Sequence, residues 1–276
     1  MVALSNLGHE ALSNMYVTFD LWQTLIMDTA EADTKRSEMR CNGIRRVLSD
    51  AGISISAIDL KHAYDQSARK FQETWMTNRE IQTNEQLRII IQLLSKANLH
   101  LNPGMMKELQ RTYVDPFFVF PPQLNRDAKP TLEKISARVK NIGLISNTGR
   151  IPADALRRFM REQGILRFFN ATFFSDEVGH RKPDVHIFRR AAEQFGADIS
   201  RGIHVGDNPE TDVWGAKNAG MLAVQFIYEL PEGFESLPNS TVSLSRARSM
   251  PDSEIHPDYQ IYALSELVTV IDSLVS

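Results

Sequence analysis

The stretch 15–19, MYVTF, is a short unbroken run of apolar and aromatic positions, the pattern of a strand buried on both faces. Past residue 33 the spacing changes. TKRSEMRCNGIRRVLSDAG places Met39, Ile44, Val47 and Leu48 at helical intervals, with Gly52 positioned to end the helix. AIDLKHAYDQSARKFQETWMTN and TNEQLRIIIQLLSKANL repeat the helical spacing, and PGMMKELQRTYVD is read the same way. From about 33 to 114 no convincing strand interrupts this block, and the Pro-punctuated DPFFVFPPQL at 115–124 leads out of it.

Strands and helices then alternate. AKPTLEKISARV reads as a helix and NIGLIS (141–146) as a strand; PADALRRFMREQG is a helix with Pro near its first turn and Gly at its end. ATFFS (171–175), GIHVG (202–206) and LAVQFI (222–227) read as strands, separated by the helices DVHIFRRAAEQFG and ETDVWGAKNAG. This order predicts an α/β fold: a Rossmann-like, doubly wound parallel sheet with helices on both faces and a helical insertion after the first strand. Residues 229–257 carry four prolines and many serines and read as a long loop; YQIYALSELVTVIDSLV then supplies a last short strand and a closing helix.

The 276 residues suffice for one large α/β domain or a core with a smaller one. A balance of 31 basic against 34 acidic residues gives −3, which offers no bulk attraction to nucleic acid or a membrane surface. Cys41 is the only cysteine, so no internal disulfide forms, and a reducing, cytoplasmic setting is expected. No apolar run reaches the roughly 18–20 residues that span a bilayer. The opening MVALSNLGHEALSN lacks a basic segment followed by a long apolar one, so a short, loosely ordered leader (1–14) is expected instead of a signal peptide.

In an open parallel sheet, ligands bind beyond the carboxyl ends of the strands. Four such ends carry polar groups here: Asp20 and Thr24 after the first strand; Ser146, Asn147 and Thr148 after the second; Lys182 in GHRKPD after the third; and Asp207, Asn208 and Asp212 after the fourth. Together they suit phosphoryl transfer to a carboxylate. Asp20 attacks phosphorus, Asp20 and Asp207 offer hard oxygen ligands to a cation, Lys182 adds positive charge, and the Ser146 hydroxyl with the backbone N–H groups after it receives phosphate oxygens.

FDLWQTL, LISNTG, RKPD and VGDNPETD, in that order, resemble the four motifs of the haloacid dehalogenase-like superfamily of hydrolases, and NAGM at 218–221 matches its phosphatase-like branch. The resemblance spans about 15–228. It implies an α/β core of 15–30 and 118–276, a helical cap of 31–117 that closes over the site, and dependence on Mg2+. It also implies a small phosphorylated metabolite as substrate for a protein that is a monomer or homodimer. By the same resemblance Asp20 is nucleophile and metal ligand, the Trp22 backbone carbonyl and Asp207 complete the protein's metal ligands, and Asp212 supports the metal's waters or Lys182. Ser146, Asn147 and Lys182 bind phosphate, and Thr24 organises the first loop.

One position departs from the pattern. Most phosphatases of this superfamily carry a second Asp where Trp22 stands, and that Asp protonates the leaving alcohol. Trp22 has no proton to give at neutral pH, although its backbone still serves a metal. Three readings follow: a phosphohydrolase whose substrate has a good leaving group or finds its proton elsewhere; a dehalogenase-like or phosphonate-cleaving enzyme; or a weakly catalytic phosphate-binding protein. The first is favoured. The dehalogenase reading leaves Asp207 and Asp212 without purpose, and the phosphonate reading needs a Schiff-base lysine from the cap, for which Lys61 and Lys70 are candidates by location alone.

Other residues have plainer readings. Asp212 lies in a first helical turn, where an acid is favourable in any case. His204 reads as a packed core histidine and His180 as an exposed loop residue. Arg150 meets a substrate anion or, at least as readily, sits on the surface. Trp22 packs between core and cap, and Trp75 belongs to the cap's interior.

Overall fold

The computed structural model describes residues 15–94, 101–228 and 255–274, together with 233, 237, 240 and 243. The expected leader and most of the loop at 229–257 lie outside the described residues. Strand β1 (Tyr16–Phe19) is buried throughout and leads to the two-residue β2 (Ile26–Met27). Four helices follow: α1 (Ala30–Asp50), α2 (Ala57–Trp75), α3 (Thr83–Leu93) and α4 (Pro103–Val114). A short α5 (Pro116–Val119) and β3 (Gln123–Leu124), antiparallel to β2, return the chain to the sheet. The alternation then runs α6 (Ala128–Ser136), β4 (Asn141–Ser146), α7 (Ala153–Glu162), β5 (Ala171–Phe174), α8 (Ser175–Val178), α9 (Val185–Phe195), β6 (Gly202–Gly206), a π-helical turn (Pro209–Trp214), α10 (Gly215–Ala219), β7 (Leu222–Phe226), β8 (Tyr259–Ile261) and α11 (Leu267–Ser273).

The sheet is six-stranded and parallel, in the order β5-β4-β1-β6-β7-β8. Its strands are apolar on both faces because helices cover both. Val17, Phe19, Leu144, Val205 and Phe226 enter one core, while Tyr16, Ile145, Phe173 and Ala223 enter the other. The register sets Phe19, the last residue of β1, beside both Leu144 and Val205, so β6 ends one residue and β4 two residues further on.

Helices α1–α4 bury a third core, including Ile44, Leu48, Leu60, Phe71, Ile90, Leu109 and Tyr113. Their starts are capped as the sequence allows: Thr29 accepts from the Ala32 N–H at 3.1 Å, Ser56 from Asp59 at 3.0 Å and Asn102 from Met105 at 2.9 Å. Helices α1 and α4 cross at Gly43, where a Cβ would stand 1.9 Å from Thr112 Oγ1, so only glycine permits that approach. Met39, expected on the apolar face of α1, is 38% exposed. Lys61 and Lys70 lie on exposed faces, bonded to Asp65 and Glu73. Among the described residues no helix is long and apolar enough to cross a membrane.

A buried carboxylate ties this helical block to the sheet. Glu80, 5% exposed, accepts from Trp75 Nε1 and the Ile81 N–H, each at 2.9 Å, and from Thr148 Oγ1 at 3.1 Å. It also accepts from Ser175 Oγ and pairs with the buried Arg181, whose guanidinium stacks on Trp75. Removing one partner of a buried ion pair leaves the other uncompensated, a cost of roughly 3–5 kcal/mol. Glu80→Gln is therefore expected to lower the unfolding free energy by that order, read as a lower denaturant midpoint at unchanged m-value. An unmoved midpoint would show that Arg181 does not depend on this carboxylate.

Candidate active site

The adjacency of the parallel strands β4, β1 and β6 brings their polar carboxyl termini together. Asp20 leaves β1 with its N–H still bonded to Val205 O at 2.8 Å, so the sheet ladder itself fixes the start of its loop. Lys182 arrives from the segment between α8 and α9, held by Asn147: the Lys182 N–H donates to Asn147 Oδ1 at 2.9 Å, and Asn147 Nδ2 donates to Lys182 O at 3.0 Å. The Lys182–Pro183 peptide bond is cis. The Lys182 ammonium, 3% exposed as a residue, lies between two carboxylates, 2.6 Å from Asp20 Oδ1 and 2.5 Å from Asp212 Oδ1.

Asp212 is itself placed by several groups. Its Oδ2 accepts from the Asn208 N–H at 3.0 Å, while Asn208 Oδ1 caps the π-helical turn through the N–H groups of Glu210 and Thr211, both at 3.1 Å. His204 Nε2 is 3.1 Å from Asp212 Oδ1, and its Nδ1 is 2.9 Å from Thr18 Oγ1. A carboxylate only accepts, so Nε2 carries the proton and Nδ1 accepts from Thr18. Burial holds His204 below the usual histidine range, which keeps it neutral. The Asp212 carboxyl also packs against Gly206, where a Cβ would fall 2.3 Å from Asp212 Cγ.

One oxygen each from Asp20, Asp207 and Asp212 lies within 4.8 Å of the others. Burial drives the Asp20 carboxyl up, against the pull of Lys182, to about 7. The same burial acts on Asp212, but Lys182 and His204 outweigh it and hold that group at about 2. Three acids of hard-oxygen type, gathered at one sheet edge around a single ammonium, form a donor set that fits a small divalent cation. Above them is a cavity of about 350 Å³, bounded by Asp20, Lys182 and Asp207 on one side and by residues of α1 and α2 on another.

The remaining predicted residues fall as follows. Ser146 is fully buried, its hydroxyl 3.5 Å from Asn147 O; the cavity wall at this strand end is made by Asn147, Thr148, Gly149 and Arg150. The Asn147 carboxamide is engaged on both sides by the Lys182 backbone, so in this structure it places the lysine. Thr24 is buried with its hydroxyl unpaired, and its carbonyl accepts from Asn125 Nδ2 at 3.0 Å. Trp22 lines the cavity and meets Phe117 edge-on at 6.1 Å, its indole N–H unpaired. His180 is partly exposed and bonded to Asp184 at 2.9 Å. Arg150 is the correction: its surface placement fails, since it is 3% exposed and lines the cavity. Neither Lys61 nor Lys70 lines that cavity. Sequence reasoning passed over the link from His204 to Asp212 and the close approach at Gly206. A histidine inside a fully buried strand, eight residues before an acid, was the available signal.

The family described as haloacid dehalogenase-like hydrolase matches residues 15–220. A glyceraldehyde 3-phosphate phosphatase of Methanothermobacter thermautotrophicus is 36% identical over 102 residues, 37% of this chain and 44% of that protein. A phosphoserine phosphatase of Thermus thermophilus is 37% identical over 107 residues, 38% of this chain and 43% of that protein. The matching stretch thus spans under half the length of either relative. Among solved structures, a 2-haloacid dehalogenase from Pseudomonas syringae aligns over 94% of this chain and 99% of its own, at a TM-score of 0.63 and 22% identity, a likeness of fold. With its motifs converging on one sheet edge and the family matched over most of its length, the chain belongs to the haloacid dehalogenase-like hydrolases.

Proposed function

We propose that this protein is a Mg2+-dependent phosphohydrolase that acts on a small phosphorylated metabolite through an aspartyl phosphate at Asp20. One observation carries the reading: the Lys182 ammonium joins Asp20 to Asp212 at the floor of a closed-in cavity, with Asp207 beside them. The two phosphatases similar to this chain support phosphoryl chemistry. Asp207, close to Asp20 and Asp212, also weighs against a metal-free dehalogenase, which would still use Asp212 to hold Lys182 but has no use for Asp207.

In this reading residues 15–30 and 118–276 form the catalytic core, and 31–117 form a cap over it. Asp20, Asp207 and the Trp22 carbonyl hold Mg2+, with Asp212 supporting it. Bound there, the ion supplies the positive charge that lets a phosphate approach a carboxylate. Lys182 adds a fixed charge on the same side, and the turn after β4, whose residues 147–150 line the cavity, offers backbone N–H groups to phosphate oxygens, with the fully buried Ser146 behind it. An Asp20 oxygen forms a bond to phosphorus as the bond from phosphorus to the leaving oxygen breaks, and the leaving oxygen keeps the electron pair. Water then releases phosphate and restores the carboxylate. His204 keeps Asp212 ionised and in place, and so keeps Lys182 in place.

Trp22 decides which substrates suit. General acid help is typically worth about 10²–10⁴-fold, and the side chain at 22 supplies none. A leaving group stable as an anion, such as that of an acyl phosphate or anhydride, departs without it. Trp22, packed edge-on against the core residue Phe117, lines the cavity with an aromatic side chain instead.

Phosphate release from a broad panel of phosphorylated metabolites should require Mg2+ and should favour anhydrides and acyl phosphates over alkyl esters. Halide release without metal would overturn the assignment. Asp20→Asn should lower turnover by about three orders of magnitude or more, measured as phosphate release by a variant whose circular dichroism is unchanged. Trp22→Asp should raise hydrolysis of an ordinary alkyl phosphate by about 10²-fold or more. The absence of any gain, in a folded variant that still binds Mg2+, would show that proton delivery is not what limits this protein.

A further inference from the structure

Among the described residues four arginines line the cavity: Arg36, Arg40, Arg150 and Arg181. Two are neutralised by acids. Arg36 pairs with Asp28 and with Asp33, and Arg181 with Glu80. Arg40 and Arg150 are as deeply buried, at 2% and 3% exposure, yet neither makes an ion pair with a carboxylate among the described residues. Asp33, the acid whose field reaches Arg150, is engaged by Arg36 at 3.4 Å.

These two guanidiniums form one unit. Arg150 Nη1 donates to Tyr113 Oη at 2.8 Å, and its plane lies over Tyr64 at 4.4 Å and Phe71 at 4.8 Å. Arg40 Nε donates to the Tyr113 carbonyl at 2.8 Å, and its Nη1 to Tyr64 Oη at 3.3 Å. Tyr113 Oη in turn donates to Gln86, and Gln86 Nε2 donates to Gly149 O at 2.7 Å, which fixes the turn that carries Arg150. Aromatic faces stabilise a buried cation in part. They leave Arg150 Nη2 buried with no hydrogen-bond partner. An orphaned donor on a buried charge is costly, and in a native protein it calls for a specific explanation. Here the orphan belongs to a wall of the same cavity whose floor is Asp20 and Lys182.

We propose that the substrate carries a second anionic group, a carboxylate or a second phosphoryl group on its leaving-group half, and that Arg150 and Arg40 hold it. This rests on the phosphohydrolase reading for the group at Asp20. It adds a recognition element from opposite partners, one arginine from α1 and one from the turn after β4. The pair selects small dianionic molecules over esters of neutral alcohols, since a neutral leaving group leaves two buried charges unanswered. A cavity of about 350 Å³ is of a size for a small molecule rather than a polymer.

The test is equilibrium binding by calorimetry to the full chain in excess Mg2+, with three non-hydrolysable probes. Ethylphosphonate offers one anionic group; phosphonoacetate adds a carboxylate and methylenediphosphonate a second phosphoryl group. At least one of the latter two should bind tenfold or more tightly than ethylphosphonate, as a charge-assisted hydrogen bond at a buried site requires, and the better probe names the second group. In Arg150→Gln and Arg40→Gln the ratio should collapse toward one, with Arg150→Lys in between. Because Arg150 also touches α2 and α4, each variant is first checked for a cooperative thermal transition, and Arg40→Gln decides if Arg150→Gln does not fold. A ratio near one in the unaltered protein, or the same ratio in the variants, would overturn the proposal. Binding ratios need no turnover. Selective binding without phosphate release would sink the phosphohydrolase reading alone, and hydrolysis with a ratio near one would sink the second-anion site alone.

Discussion

A lysine ammonium buried between two carboxylates organises this protein. Lys182 reaches Asp20 at 2.6 Å and Asp212 at 2.5 Å, and all three are nearly removed from solvent. Burying one such charge alone is prohibitive, and burying three is tolerable only if each is matched and hydrogen-bonded. Much of the surrounding structure serves that requirement. Asn147 grips the Lys182 backbone from both sides, Asn208 and His204 fix the two Asp212 oxygens, and Gly206 leaves room for the carboxyl. The sheet supplies the remaining constraint, since the parallel pairing of β1 with β6 sets where Asp20 and Asp207 stand.

The same logic recurs where the helical block meets the sheet. Glu80 and Arg181 are a second buried pair, satisfied by Trp75, Thr148 and Ser175. Arg181 precedes Lys182 in the chain, and Thr148 follows Asn147. The two networks therefore share a backbone: what secures the helical block on one side also positions the ammonium on the other. Arg40 and Arg150 differ because their polar partners are neutral, tyrosine oxygens and a carbonyl. Among the described residues the cavity's other buried cations are answered with carboxylates and these two with aromatic rings, hydroxyls and a carbonyl, the contrast on which the proposed second-anion site rests.

Trp22 is the other informative departure. Its ring completes an apolar contact with Phe117, and its side chain brings neither acid nor base to the cavity. The acids at the sheet edge are kept while proton delivery at position 22 is absent. On the proposed phosphohydrolase reading, such a site suits a bond whose leaving group is already stable as an anion. Anionic leaving groups and unpaired arginines answer the same chemical demand from two directions.

Periodicity and turn residues determined the main alternation of strands and helices, because runs such as NIGLIS and GIHVG are bounded by Gly, Pro and polar turns that leave little freedom, but not the short β2, β3, α5 and α8 or the π-helical turn at Pro209–Trp214. It also placed Asp20, Lys182 and Asp207 at strand ends or beside them, where the topology of a parallel sheet gathers chemistry. Only the tertiary structure decided what those side chains touch. Nothing local says that the Asn147 carboxamide is occupied by Lys182 or that Arg150 turns inward against Tyr64 and Phe71, because each of these depends on segments far apart in sequence; His204 and Asp212 are only eight residues apart, but their contact needs the turn after β6 to fold back over that strand. Secondary structure follows from backbone preference and the spacing of apolar positions, both local. Burial of a charge is settled by whichever distant group is there to meet it, and that is a property of the folded chain.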